Sequence, residues 1–162
     1  MRISKSAIGI ASLLFVLGLS VVGFLQPTAL NAGHRAERPF RIMATGIETG
    51  SLIPGAVDTE LWGEGTHIGK FQGGGSGFVN WSTGEAFGTG VLTAANGDQI
   101  YFENTLTNGE SVMTFTGGTG RFKGATGAIV PIPDSTPVIT IDVQTMTFTI
   151  KGSYTAVGTI AY

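Results

Sequence analysis

From Phe40 onward, apolar residues fall in short runs that alternate with Thr, Gln or Lys, and no stretch keeps the three-to-four spacing of an amphipathic helix. The clearest case is Thr145-Met146-Thr147-Phe148-Thr149-Ile150-Lys151, whose alternation predicts a strand with Met146, Phe148 and Ile150 on one face. Ser111–Thr116 and Gln99–Glu103, rich in β-branched and aromatic residues, predict two more. Thr83-Gly84, Asn96-Gly97 and Asn108-Gly109 each separate two such runs, and an Asn-Gly pair suits the positive φ angles of a tight hairpin turn. The pattern thus predicts an antiparallel meander over 76–82, 85–94, 98–106 and 110–116. Earlier strands are expected at 40–47, 57–63 and 66–72, and later ones at 126–132, 138–143, 145–151 and 153–161. So many short strands overfill a flat sheet, and closure into a barrel would remove the exposed edges. The expected fold is therefore all-β, a small closed antiparallel β-barrel spanning residues 40–162. The Thr-faced strand at 145–151 lacks the outward apolar band of a membrane-spanning barrel, which favours a barrel with an apolar interior.

The N-terminal pattern is different. Arg2 and Lys5 precede an uncharged apolar stretch from Ala7 to Leu25, closed by Gln26-Pro27. That order reads as a secretory signal helix over residues 1–32, with cleavage after Ala32. The stretch is also about as long as the ~20 residues that cross a bilayer, so an uncleaved anchor is the competing reading. Both place the domain outside the cytoplasm, periplasmic or extracellular. The charged residues 33–39 read as a flexible arm.

Charge narrows the partners. The chain carries nine Lys and Arg against eleven Asp and Glu; loss of residues 1–32 would take two basic residues and no acidic one, moving the formal charge from −2 to −4. Three of the remaining basic residues, Arg35, Arg38 and Arg41, would crowd the new N-terminus. A stripe able to follow a phosphate backbone is missing, which excludes nucleic acid as a partner. Membrane contact is expected only through the N-terminal segment if it stays uncleaved. The chain has no cysteine, so disulfide and thiolate chemistry are absent, and packing must hold the domain together.

The most distinctive segment is Gly117-Gly118-Thr119-Gly120-Arg121-Phe122-Lys123-Gly124-Ala125-Thr126-Gly127. A phosphate-binding loop would need Gly-Lys before Ser or Thr at a helix start, and Lys123 instead precedes Gly124. Gly117, Gly118, Gly120, Gly124 and Gly127 read as a structural turn, with Phe122 anchoring it to the core. This segment resembles the glycine signature of dirigent proteins and allene oxide cyclases. It is also similar to small exported bacterial proteins grouped with those barrels, as are Gly65–Phe71, Leu92–Asp98 and Gly158–Tyr162. The resemblance implies an eight-stranded barrel with a central cavity, a homo-oligomer (trimeric in those relatives), and relatives that steer cyclisation or radical coupling of small hydrophobic molecules. It carries over no catalytic residue.

His67 is the only histidine of the folded region, and neither a metal set nor a catalytic pair surrounds it. If Ile100 and Phe102 face inward, Glu103 points to solvent and Asn104 inward. The candidate cavity residues are Trp62, His67, Phe102, Asn104, Phe115 and Phe148, with no metal and no cofactor expected. Asp58, Glu60 and Glu64 read as an exposed acidic strand end, and Pro131–Pro137 as a loop at a barrel mouth. The favoured function is binding of a small hydrophobic ligand without catalysis. The alternatives are a cyclase or isomerase that works by orienting its substrate, and a structural or surface-interaction protein.

Overall fold

A computed structural model describes residues 35–162, and the expected signal segment lies outside them. The chain runs as nine strands: β1 (Arg38–Ser51), β2 (Ala56–Gly65), β3 (Gly69–Asn80), β4 (Glu85–Ala94), β5 (Gln99–Thr107), β6 (Glu110–Gly118), β7 (Thr126–Pro133), β8 (Val138–Asp142) and β9 (Thr147–Ala161). Each of β1 to β6 pairs antiparallel with the next, β6 pairs β7, β7 pairs β9, and β9 returns to β1 along its whole length. Eight strands therefore close a barrel. The ninth, β8, shares an edge of β9 with β7: β7 pairs with residues 154–161 of β9 and β8 with 147–151. In effect β8 resumes the path of β7 after the Pro133–Pro137 excursion. That excursion is held to β9 by the Asp134 backbone N–H donating to Ser153 O (2.9 Å) and by the Thr155 hydroxyl donating to the Asp134 carboxylate (3.0 Å).

Three expectations about strand limits change. The strands expected at 66–72 and 76–82 are one strand, β3, and those at 145–151 and 153–161 are one strand, β9. The glycine run that read as a break in β3 lies where neighbouring backbones approach closely. A Cβ at Gly75, in the middle of β3, would collide with the Thr89 carbonyl oxygen of β4. Gly75→Ala should therefore cost about 1–3 kcal/mol of unfolding free energy, read as a lower urea midpoint. Met146 leaves the face it was expected to share with Phe148 and Ile150. It sits before β9 with φ of 54° and is exposed, in the turn that joins β8 to β9. Finally, β1 begins at Arg38 and runs on to Ser51, past the expected end at residue 47.

The hairpin signals act as their chemistry suggests. Asn108-Gly109 joins β5 to β6 with positive φ at both residues, as a two-residue type I′ turn requires. The β3–β4 and β4–β5 connections are four-residue loops in which only Gly84 and Gly97 take positive φ.

Alternation assigns the faces. On β1, Phe40, Ile42, Ala44, Gly46, Glu48 and Gly50 point inward; on β9, Phe148, Ile150, Gly152, Tyr154 and Ala156 do so. The apolar interior falls into two clusters. One fills the end that carries the chain entry into β1 and the 119–125 connection, with Phe40, Ile42, Leu92, Ile100, Phe115, Phe122 and Ile129 among its members. The other, around Val57, Val79, Phe148 and Ile150, fills the opposite end with Trp81, Leu52 and Ile139 packed against it.

Candidate functional site

The boundary between the two clusters is lined by glycines and polar side chains. The partners of Glu48 across the sheet are Ile150 on β9 and Thr59 on β2; Thr59 in turn faces Gly75 on β3, and Gly75 faces Gly90 on β4. One pair further along, Gly77 faces Gly88, and Gly88 faces Asn104 on β5. Directly paired residues share a face, so all of these point into the barrel. Yet Glu48, Thr59, Gly75, Gly77, Gly88, Gly90 and Asn104 are only half-buried, whereas the inward Leu92, Ile100 and Ile129 are fully buried. The inner wall is therefore less fully covered at this level than at the two clusters, although the Phe102 ring lies over Gly90. An eight-stranded barrel is just wide enough to be filled by side chains or to hold one small molecule.

The wall at this level is incomplete. Strands β6 and β7 pair only through Met113–Phe115 and Gly127–Ile129. Beyond that, Glu110–Val112 has no backbone pairing with Val130–Pro133 or with β8. Ser111 lies at this slit, half-buried, and its hydroxyl donates to the Asn104 side-chain oxygen (3.2 Å). The Pro131–Pro137 segment borders the same slit; Pro131 and Pro133 lack an N–H and could not have completed the ladder.

Glu48 is the chemically distinctive group. One of its carboxyl oxygens is buried with no hydrogen-bond partner among the described residues, and burial pushes its pKa up to about 7. Its strand neighbours Gly46 and Gly50 leave room for two rings. The Tyr154 ring lies over Gly46 and the Phe148 ring against Gly50, so an aromatic ring stands beside each of the two glycines that flank Glu48 on the inner face of β1. Burial raises the Tyr154 pKa first, and the Glu48 charge adds to it, so the phenol stays protonated. A carboxyl that titrates near neutrality can donate a hydrogen bond, accept one or pair with a cation.

Of the residues singled out in the sequence, Phe102, Phe115 and Phe148 are buried and inward, and Asn104 is inward and half-buried, with Glu103 outward. Phe102 and Phe115 belong to the cluster above the belt and Phe148 to the one below. Trp62 and His67 are placed elsewhere. Trp62 is 43% exposed on the outer face of β2, in line with Asp58, Glu60 and Glu64, because the inward positions belong to Val57, Thr59, Leu61 and Gly63. His67 is exposed in the β2–β3 turn with φ of 64°; its Nε2–H donates to Pro39 O (3.0 Å) and its ring stacks 6.3 Å from Phe40. That is a tie across the barrel end, far in register from the belt.

The glycine segment forms the cap of the same end. Gly117, Gly120, Gly124 and Gly127 all have positive φ, and at Gly118 a Cβ would collide with the Gln99 carbonyl. A single 3-10 turn over Gly120–Phe122 drops Phe122 into the interior, while Arg121 donates to Ile68 O (3.3 Å) and lies 3.5 Å from the Asp98 carboxylate. Among the described residues, no three His, Asp or Glu side chains gather as a metal would need.

The chain is similar to a dirigent protein. The solved structure of the pterocarpan synthase dirigent protein GePTS1 aligns with it at a TM-score of 0.48 and 10% identity, over 81% of this chain and 89% of that one. At this distance the likeness concerns the course of the strands and no side chain. No protein-family model and no characterised protein matches the sequence. An open recess of about 560 Å³ lies away from the belt, bordered by Pro54, Trp81, Phe87 and the stacked Phe78 (ring centroids 6.4 Å apart from Phe87).

The sequence reading missed Glu48 and Tyr154. A usable signal existed: the inward alternation of Phe40, Ile42 and Ala44 runs on through Gly46 to Glu48, and that of Phe148 and Ile150 through Gly152 to Tyr154.

Proposed function

We propose that this protein is an exported barrel that holds a small, largely apolar molecule in the belt between its two interior clusters. The observation that carries this reading is the contrast along the inner wall: fully buried Leu92, Ile100 and Ile129 on one side, half-buried Thr59, Gly75, Gly88 and Asn104 at the belt. Apolar rings above and below would cover the body of the molecule, and Glu48, Tyr154, Asn104 and Thr59 would fix its polar atoms. The slit between β6 and the β7–β8 path offers an entry. Export rests on the signal pattern of residues 1–32.

A neutral environment-sensitive dye such as prodan tests this reading. Saturable binding of one dye per barrel with a blue-shifted emission is expected. Thr59→Phe, which places a ring in the belt, should weaken binding by at least about tenfold, the effect of losing roughly 1.4 kcal/mol of binding energy. Phe87→Ser, on the outer face, should leave it unchanged. Unsaturable binding, or equal binding by the Thr59→Phe and wild-type proteins, would overturn the reading.

The inward Glu48 favours a second reading, an enzyme of the cyclase or isomerase kind. A carboxyl with a pKa of about 7 can serve as acid or base at neutral pH. Turnover of a molecule recovered in the barrel, lost in Glu48→Gln while binding persists, would decide for it.

A further inference from the structure

From the arrangement around Glu48, we infer that the molecule held in the belt is a hydrophobic amine whose ammonium group pairs with the Glu48 carboxylate between the Tyr154 and Phe148 rings. The inference rests on the proposed interior site and names the class of its occupant. Arg35, Arg38, Arg41, His67, Lys70, Arg121, Lys123 and Lys151, the basic side chains of the described residues, are all exposed. None turns inward, so the protein itself brings no countercharge to Glu48. An ionised carboxylate inside a protein is costly unless it is paired, and a cationic ligand supplies the missing partner.

Glycines at 46 and 50 let the Tyr154 and Phe148 rings lie against β1 on either side of Glu48 in sequence. A cation paired with the carboxylate would lie near aromatic rings, surroundings suited to ammonium groups. A neutral ligand would make use of the rings and leave the carboxyl oxygen as it stands, buried without a partner. The groups facing Glu48 from the packed strands are Thr59 on β2 and Ile150, Phe148 and Tyr154 on β9, with Asn104 on the opposite wall. Asp58, Glu60, Glu103 and Lys151 alternate to the outside. Tyr154 is then the single other titratable group facing inward near Glu48 among the described residues, and its phenol stays protonated.

The sign of the pH dependence follows. Glu48 is neutral well below pH 7 and ionised above it. An amine should therefore bind more weakly as pH falls from 8 to 5, while a neutral molecule of the same shape should bind equally well or better.

The test uses the full chain, with 1-aminoadamantane and its neutral counterpart 1-adamantanol as competitors for bound prodan. At pH 8 the amine should displace the dye at about ten- to hundredfold lower concentration than the alcohol, the range of a charge-assisted contact. That preference should shrink at least about tenfold at pH 5. In Glu48→Gln it should vanish at both pH values while the alcohol still binds, which shows that the variant is folded with its cavity intact. Equal displacement by amine and alcohol at pH 8, or a preference that survives Glu48→Gln, would overturn the inference and leave the cavity standing. Failure of prodan itself to bind saturably would remove the cavity reading and this inference with it.

Discussion

Glu48→Gln is expected to make the protein more stable at pH 8 and to leave its stability near pH 4 almost unchanged. In the unfolded chain Glu48 titrates at its ordinary value of 4.5, and in the barrel at about 7. Between those values the folded state holds a proton that the unfolded state has released, so stability declines as pH rises through the window and levels off above 7. The whole shift corresponds to at most about 3.5 kcal/mol, because one pKa unit is about 1.4 kcal/mol. Gln has nearly the same shape and no charge to desolvate, so the variant should lose this decline. Asp142 works in the opposite sense: the backbone N–H of Gln144 and the Thr145 side chain and N–H hold its pKa down, so its contribution is lost as pH falls through that lowered value. Comparing urea midpoints of wild type and variant at pH 4, 6 and 8 isolates Glu48, since Asp142 is common to both. Parallel curves at all three pH values would show that Glu48 is not held away from water.

The features legible in the sequence were those written by alternation and turn chemistry. β4 (Glu85–Ala94) falls where Thr83-Gly84 and Asn96-Gly97 bracket an apolar run, and Asn108-Gly109 makes the two-residue turn its φ angles allow. Glycine inside strands was the main obstacle. In β3, Gly73, Gly74 and Gly75 read as a break, yet each sits where another strand's backbone leaves no room for a Cβ. The same habit hid Glu48, since Gly46-Ile47-Glu48-Thr49-Gly50 looks like a loop when alternation is judged by apolar residues alone. The alternation is real, but its inward positions are glycine and glutamate. A level of the interior poor in large apolar side chains carries little apolar alternation, so the proposed binding belt is the least visible part of this barrel in its sequence. Trp62 shows the converse. Its size suggested a cavity wall, while the acidic Asp58, Glu60 and Glu64 in phase with it already marked the outer face.

The largest loss of stability is expected from Phe122→Ala. Phe122 is 0% exposed, and its ring meets Tyr162 edge to face at 5.0 Å, with the Arg121 guanidinium 4.9 Å above it. It closes one end of the barrel from a segment whose Gly120–Ala125 backbone bonds mainly to itself. The other ties are polar: Thr119 donates to Gln99 O, Gln99 N–H donates to the Thr119 hydroxyl, Arg121 donates to Ile68 O, and Arg35 donates to Lys123 O. Removing a buried Phe ring leaves a cavity that strands pinned by their ladders cannot collapse to fill, and such changes cost about 3–5 kcal/mol. Domains are stable by only about 5–15 kcal/mol, so this loss would bring the protein close to unfolding at room temperature. Phe87→Ala is the matched control, because Phe87 is 67% exposed and its truncation opens no cavity. Urea titrations should show a large fall in midpoint for Phe122→Ala and a shift of no more than about 0.5 kcal/mol for Phe87→Ala. If the two variants melt alike, the 119–125 segment is not the plug of the barrel end. Prodan binding by Phe122→Ala in the absence of urea adds a second reading. The ring lies in the cluster beyond the belt, so a variant still folded should keep its dye, and loss of the dye before loss of the sheet would place the binding space at the capped end.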